Sequence, residues 1–176
     1  TAAGALAMTQ MGGAAHAAGK QYVVGFLPKF TGHPYFVACN AGAQTAAKEL
    51  GMTIDYNGPV DSNVQAQSDI IDRWVRRRVD CIAVSATDPD ALVPALQRAK
   101  DAGIKTITWD ADARQESRSY FLNPVSFDAF GSSWIDMLVE DMGKDEGEIL
   151  IVTSVLTAPN QNAWIDAAKK YAAQKH

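Results

Sequence analysis

From Tyr22 onward, short apolar runs alternate with longer segments whose apolar residues recur every three or four positions, and this alternation constrains the fold most. The apolar runs are "YVVGFL" (22–27), "MTIDY" (52–56), "CIAVSA" (81–86), "KTITW" (105–109), "SYFLN" (119–123) and "EILIVTS" (148–154). Most are apolar at successive positions, as expected of strands covered on both faces. The intervening segments predict helices over 34–50, from Ser62 to the arginines 76–78, from Asp88 to Gly103, over 127–142, and from Asn160 onward. Strand–helix–strand units in series give an α/β fold, a doubly wound parallel sheet with right-handed crossovers.

Local signals place the boundaries. Gly51 closes the first helix as a C-terminal cap, and Asn57-Gly58-Pro59 turns the chain after the second strand. Ser62 and Gln65 have capping-box spacing, and Arg76-Arg77-Arg78 meets the partial negative charge of a helix C-terminus. Asp88 is the expected N-cap of the next helix with Pro89 at its first position, and Pro94 predicts an irregular first turn. Trp74 and Trp134 fall on apolar stripes and are expected in the core. The two cysteines, Cys39 and Cys81, are too few for a disulfide scaffold and are expected as buried free thiols.

Residues 1–19 carry no charge, are rich in Ala and Gly, and end in Ala15-His16-Ala17. An apolar run closing on small residues at A-x-A spacing reads as the remnant of a secretory signal peptide. The first residue is not Met and the last helix runs to His176 with no strand after it. The expected organisation is therefore residues 1–19 as a signal remnant, residues 20–123 as one complete α/β lobe, and residues 124–176 as the start of a second. The net charge of −4 gives no basic footprint, so nucleic acid is not an expected partner.

In open parallel sheets, ligands bind beyond the carboxyl ends of the strands. Those ends carry Lys29 to Phe36 after the first strand, Ser85 to Asp88 after the third, Trp109 to Asp112 after the fourth, and Thr153-Ser154 followed by "TAPNQNAW" after the sixth. A cation, carboxylates, amides and aromatic rings converge there. Hydroxyl groups donate to carboxylates and accept from Lys and amide NH₂ groups, while aromatic faces cover C–H surface, so the mixture suits a small sugar or polyol.

Other chemistries find less support. The chain lacks G-x-G-x-x-G, G-x-x-x-x-G-K-[ST] and G-x-S-x-G, the motifs of dinucleotide, P-loop and nucleophile-elbow sites. His33 is the one histidine inside the folded region, so a Ser-His-Asp set would rest on it alone. Asp110-x-Asp112 could hold a divalent cation for an enzyme acting on a phosphate or sugar. The expectation is nevertheless a protein without catalysis, cofactor or metal.

The stretches "YVVGFLPKFTGHPYFVACNAGAQTAAKELG", "SATDPDALVPALQRAKDAGIKTITWDADARQESRSYFLN" and "TAPNQNAW" resemble the type I periplasmic binding proteins of sugar ABC importers, nearest the autoinducer-2 and rhamnose-type branch. The likeness runs over residues 20–176. It implies two α/β lobes joined by a hinge that crosses near Asn123-Pro124, a ligand held between them, a monomer in the periplasm, and delivery to an ABC permease in the membrane. It implies ligand-binding roles for Lys29, Tyr35, Phe36 and Asp110, with Asp112 beside them. Asn160 and Gln161 stand where the autoinducer-2 branch has an Asp-Gln pair, a departure that removes a negative charge. Alternatives are an autoinducer-2 receptor of the same fold and the effector domain of a sugar-responsive transcription regulator, which would carry a basic helix-turn-helix in place of residues 1–19.

Overall fold

The computed structural model describes residues 20–175, and the expected signal remnant at 1–19 lies outside them. Five parallel strands, β1 (Val23–Leu27), β2 (Thr53–Tyr56), β3 (Cys81–Val84), β4 (Lys105–Trp109) and β5 (Tyr120–Leu122), form one sheet in the order β2-β1-β3-β4-β5. The helices are α1 (Pro34–Leu50), α2 (Val64–Arg77), α3 (Val93–Asp101), α4 (Phe127–Met142) and α5 (Pro159–Lys175). Succession reverses between β1 and β3, which flank the switch point where such sheets open a crevice.

Two cores cover the two sheet faces. On one side α2 and α3 bring Ile70, Ile71, Trp74, Leu92 and Leu96 onto Leu27, Ile82 and Val84. On the other, Phe36 of α1 packs with Ala83 and Trp109. Gly25 makes the first arrangement possible, because a Cβ there would stand 2.6 Å from the Trp74 ring. The Trp74 indole N–H then donates to Asp55 Oδ2 at 2.9 Å.

Several boundaries differ from the sequence expectation for identifiable reasons. Asn63, not Ser62, caps α2, its side chain accepting from Ala66 N at 2.9 Å. Asp88 does accept from the backbone of Asp90 and Ala91 at 2.9 Å. It caps a turn, however, and α3 begins only at Val93, which leaves Pro94 in the first helical turn where its missing N–H is harmless. Cys39 and Cys81 are free as expected but half-buried. Trp134 is also half-buried, unlike Trp74.

The expected sixth strand does not form. Residues 148–154 have no strand geometry, and Leu150 and Val152 are 90% and 85% exposed. A strand needs a hydrogen-bonding neighbour, and the single sheet among the described residues offers none here. The apolar segment instead lies along a groove with α4 and α5. Those two helices approach closely at Gly131, where a Cβ would meet Ala168 N at 2.5 Å.

Candidate functional site

Register sets the site. Leu27 of β1 pairs with Val84 of β3, and Val84 with Thr108 of β4, so Lys29 and Asp110 leave the sheet at the same height, two residues further on. Lys29 follows Pro28, which has no N–H to extend the ladder. Gln67 of α2, completely buried, holds these strand ends together: its amide donates to Pro28 O at 2.9 Å and Ser85 O at 2.8 Å and accepts from Thr87 N at 3.1 Å.

Asp110 answers why an apolar, β-branched run should stop at a carboxylate. Its φ is +60°, and Ala111 N donates back across it to Trp109 O at 2.6 Å, closing a three-residue turn. This turn is sparsely populated for any residue with a side chain, and such backbone costs of order 1–3 kcal/mol and gathers at functional sites. It turns the carboxylate out of the strand into a buried polar cluster. Ser85 Oγ donates to Asp110 Oδ2 at 2.6 Å, Asn160 Nδ2 donates to Oδ1 at 3.1 Å, and Lys29 Nζ stands 3.4 Å from Oδ2. Lys29 Nζ also donates to Asn160 Oδ1 at 2.9 Å. Burial pushes the Lys29 ammonium below its ordinary value, and the Asp110 charge opposes that shift.

This cluster floors a cleft of about 450 Å³ between the sheet edge and α4–α5, within the roughly 300–1,000 Å³ of small-molecule sites. Lys29, Tyr35, Phe36, Asp110, Asn160 and Gln161 all line it. Phe36 sets its ring edge-on to Phe30 at 5.4 Å and to Trp109 at 5.8 Å, and Trp109 stacks on Phe26 at 4.4 Å, so the aromatic wall is continuous with the core. Burial and the nearby Asp110 and Cys39 raise the Tyr35 phenol well above its usual range, so it stays protonated.

Asp112 is not among the lining residues. Arg118 grips it through two hydrogen bonds of 3.0 and 2.7 Å, and the Thr108 hydroxyl donates to the same carboxylate. It points to its own loop because the Asp110 turn reverses the chain between the two acids. Phe30, His33, Phe130, Ser154 and Trp164 also line the cleft, although none was expected as a ligand-binding residue; all but Phe130 lie in the strand-end stretches named above. Trp164 was legible by helical spacing, three residues after Gln161. Gln67 was legible as a polar residue on the Val64–Ile71 apolar stripe. No group of three or more potential metal-ligating side chains occurs among the described residues.

Residues 24–176 match the family described as periplasmic binding protein domain. Ribose import binding protein RbsB of Bacillus subtilis (strain 168) is 26% identical over 96 residues, which are 54% of this chain and 31% of that protein. An ABC transporter solute-binding protein from Clostridium phytofermentas, solved with bound L-rhamnose, has a TM-score of 0.84 and 29% identity, covering 89% of this chain and 48% of that one. LsrB from Clostridium saccharobutylicum in complex with AI-2 has a TM-score of 0.79 and 26% identity, covering 87% and 49%. The chain thus spans about half the length of these solved structures and about a third of the curated relative. With a parallel sheet of the same architecture and a match over nearly all its described residues, the chain belongs to the periplasmic binding protein domain family.

Proposed function

We propose that this chain is the capturing part of a periplasmic receptor for a small neutral sugar or polyol, which hands its ligand to an ABC permease without any chemical step. The observation that carries this reading is the buried Lys29–Asp110–Asn160 cluster at the base of an aromatic-walled cleft. Its one cation and one carboxylate already balance each other, and no further Lys, Arg, Asp or Glu lines the cleft. A ligand bearing its own charge would bring an uncompensated ion into a dry site, whereas hydroxyl groups can share the existing donors and acceptors.

In this reading Lys29 and Asp110 orient the ligand from the first lobe (20–123), and Asn160 and Gln161 clamp it from the second (beginning at 124). Tyr35 or Phe36 covers a ring face, and Asp112 anchors the loop that follows Asp110 through its hydrogen bonds with Arg118 and Thr108. Bridging of the two sides by ligand favours the closed form, a population shift governed by differential affinity for the two states. The signal segment at 1–19 directs export, and the receptor works as a monomer. Among the described residues no helix is long and apolar enough to cross a membrane.

A thermal-shift screen of the intact full-length protein tests the reading, because a ligand stabilises by mass action, about 2.7 kcal/mol at a hundred times Kd. The panel is L-rhamnose, D-ribose, D-arabinose, D-glucose and ribitol, with autoinducer-2 as a further arm. The expected result is a raised melting temperature with at least one sugar or polyol. No shift with any of them, or a shift with autoinducer-2 alone, counts against it.

A further inference from the structure

The polar cluster under the cleft is also a junction between distant parts of the chain. On the two-lobe reading above, Lys29 and Asp110 belong to the first lobe and Asn160 to the second. Asn160 accepts from Lys29 Nζ at 2.9 Å and donates to Asp110 Oδ1 at 3.1 Å. A further bond crosses between the same parts: the Thr157 hydroxyl donates to Thr87 O at 3.2 Å, across 70 positions of sequence. Neither threonine lines the cleft. All three bonds join protein to protein, so none of them depends on a solute.

Both ends of the Thr157–Thr87 bond are braced. Gln67 Oε1 accepts from Thr87 N at 3.1 Å, and Asp88 Oδ1 caps the turn that follows, so the Thr87 carbonyl is held by the core of the first lobe. On the other side, Asn162 Nδ2 donates to Leu156 O at 2.9 Å and Asn162 N to Ala158 O at 3.0 Å, which ties the 156–158 turn to α5. Ala158, next to Thr157, is completely buried. A bond between groups that are already ordered costs little further conformational entropy. Asn160 follows Thr157 by three residues, so fixing Thr157 also fixes where α5 starts and where the Asn160 amide lies.

We infer that Thr157 is a positioning residue: its hydroxyl clasps the second lobe to the Thr87 carbonyl and holds the receptor largely closed before a solute arrives, with Asn160 already seated between Lys29 and Asp110. This inference rests on the two-lobe receptor reading above. The apparent affinity of a two-state receptor is its intrinsic affinity scaled by the fraction already competent to bind. The clasp therefore removes most of the closing cost from binding, and a sugar adds to a closed form that is already populated.

Thr157 is exposed, so Thr157→Val deletes the donor without disturbing a core, and Thr157→Ser restores it. The test is small-angle X-ray scattering of the intact full-length wild type and both variants, each empty and each with saturating L-rhamnose, D-ribose, D-arabinose, D-glucose or ribitol. The empty wild type is expected to be as compact as its sugar-bound form. Empty Thr157→Val should show a larger radius of gyration, its ratio of closed to open form about two- to tenfold lower, the value of one hydrogen bond. Empty Thr157→Ser should return to the wild-type radius. An empty wild type more expanded than its sugar-bound form overturns the inference, and so does an empty Thr157→Val as compact as wild type, even with a lowered melting temperature. Wild type that binds none of the five overturns the sugar reading, while the comparison of empty wild type with empty Thr157→Val still decides the clasp.

Discussion

Lys29 and Asp110 are 5% and 7% exposed at the side chain and 3.4 Å apart, so each charge depends on the other. Asp110→Asn isolates that dependence. Asparagine keeps the shape and tolerates the left-handed backbone at φ +60° better than alanine, but it strands the ammonium with Asn160 Oδ1 as its main acceptor. Breaking a buried pair from one side costs about 3–5 kcal/mol. The pair is long and Asn160 persists as a partner, so about 2–3 kcal/mol is expected here. Lys29→Met strands the carboxylate instead, which retains Ser85 and Asn160 as donors, and about 2 kcal/mol is expected. The double variant Lys29→Met/Asp110→Asn buries no charge and should lose less than the sum of the two by at least about 1.5 kcal/mol. Urea unfolding of the intact full-length protein at pH 7 measures all four corners of this cycle. Additivity within about 0.5 kcal/mol would refute the claim that the two groups are coupled across the cleft floor.

Three further outcomes follow from the same geometry. The Lys29 folded-state value lies below its ordinary 10.5, so between the two values the unfolded state holds more protons: its contribution to stability rises with pH there while ligand affinity falls, and both trends should vanish in Lys29→Met. The comparison is cleanest below pH 10, the ordinary value of Tyr35, whose folded form keeps its proton. Gln67→Leu leaves Pro28 O, Ser85 O and Thr87 N without their buried partner, so unfolding should show a loss of about 1–3 kcal/mol or more, accompanied by weaker sugar binding in calorimetry. Gly25→Ala forces a methyl to within 2.6 Å of the Trp74 ring, and urea unfolding should show a loss of about 1–3 kcal/mol with an unchanged m-value.

The sheet was readable because its central strands β3 and β4 are covered on both faces, which favours β-branched and apolar residues at successive positions. "CIAVSA" and "KTITW" announce themselves that way, and α1 and α4 carry clear start and stop residues. The 148–154 segment shows the limit of that logic. "EILIV" has the composition of a strand, yet pairing depends on a neighbour and not on composition, and no described strand lies beside it. Lys29, Asp110, Asn160 and Gln161 were legible because topology sends strand ends and helix starts to one edge. Asp112 looked equivalent to Asp110 because spacing carries no information about a positive φ, and that single turn separates them. Gln67 is a different case, since it does not line the cleft and acts through the strand ends it holds, whereas Ser85, one of the strand-end residues, acts by donating directly to Asp110.

Crystals of the intact full-length protein grown with whichever panel sugar gives the largest thermal shift test the central claim most directly. The account predicts sugar oxygens within hydrogen-bond reach, about 2.7–3.2 Å, of Lys29 Nζ and the Asp110 carboxylate, with Tyr35 or Phe36 against the ring. A sugar bound elsewhere, with the Lys29–Asp110–Asn160 cluster out of its reach, would contradict it.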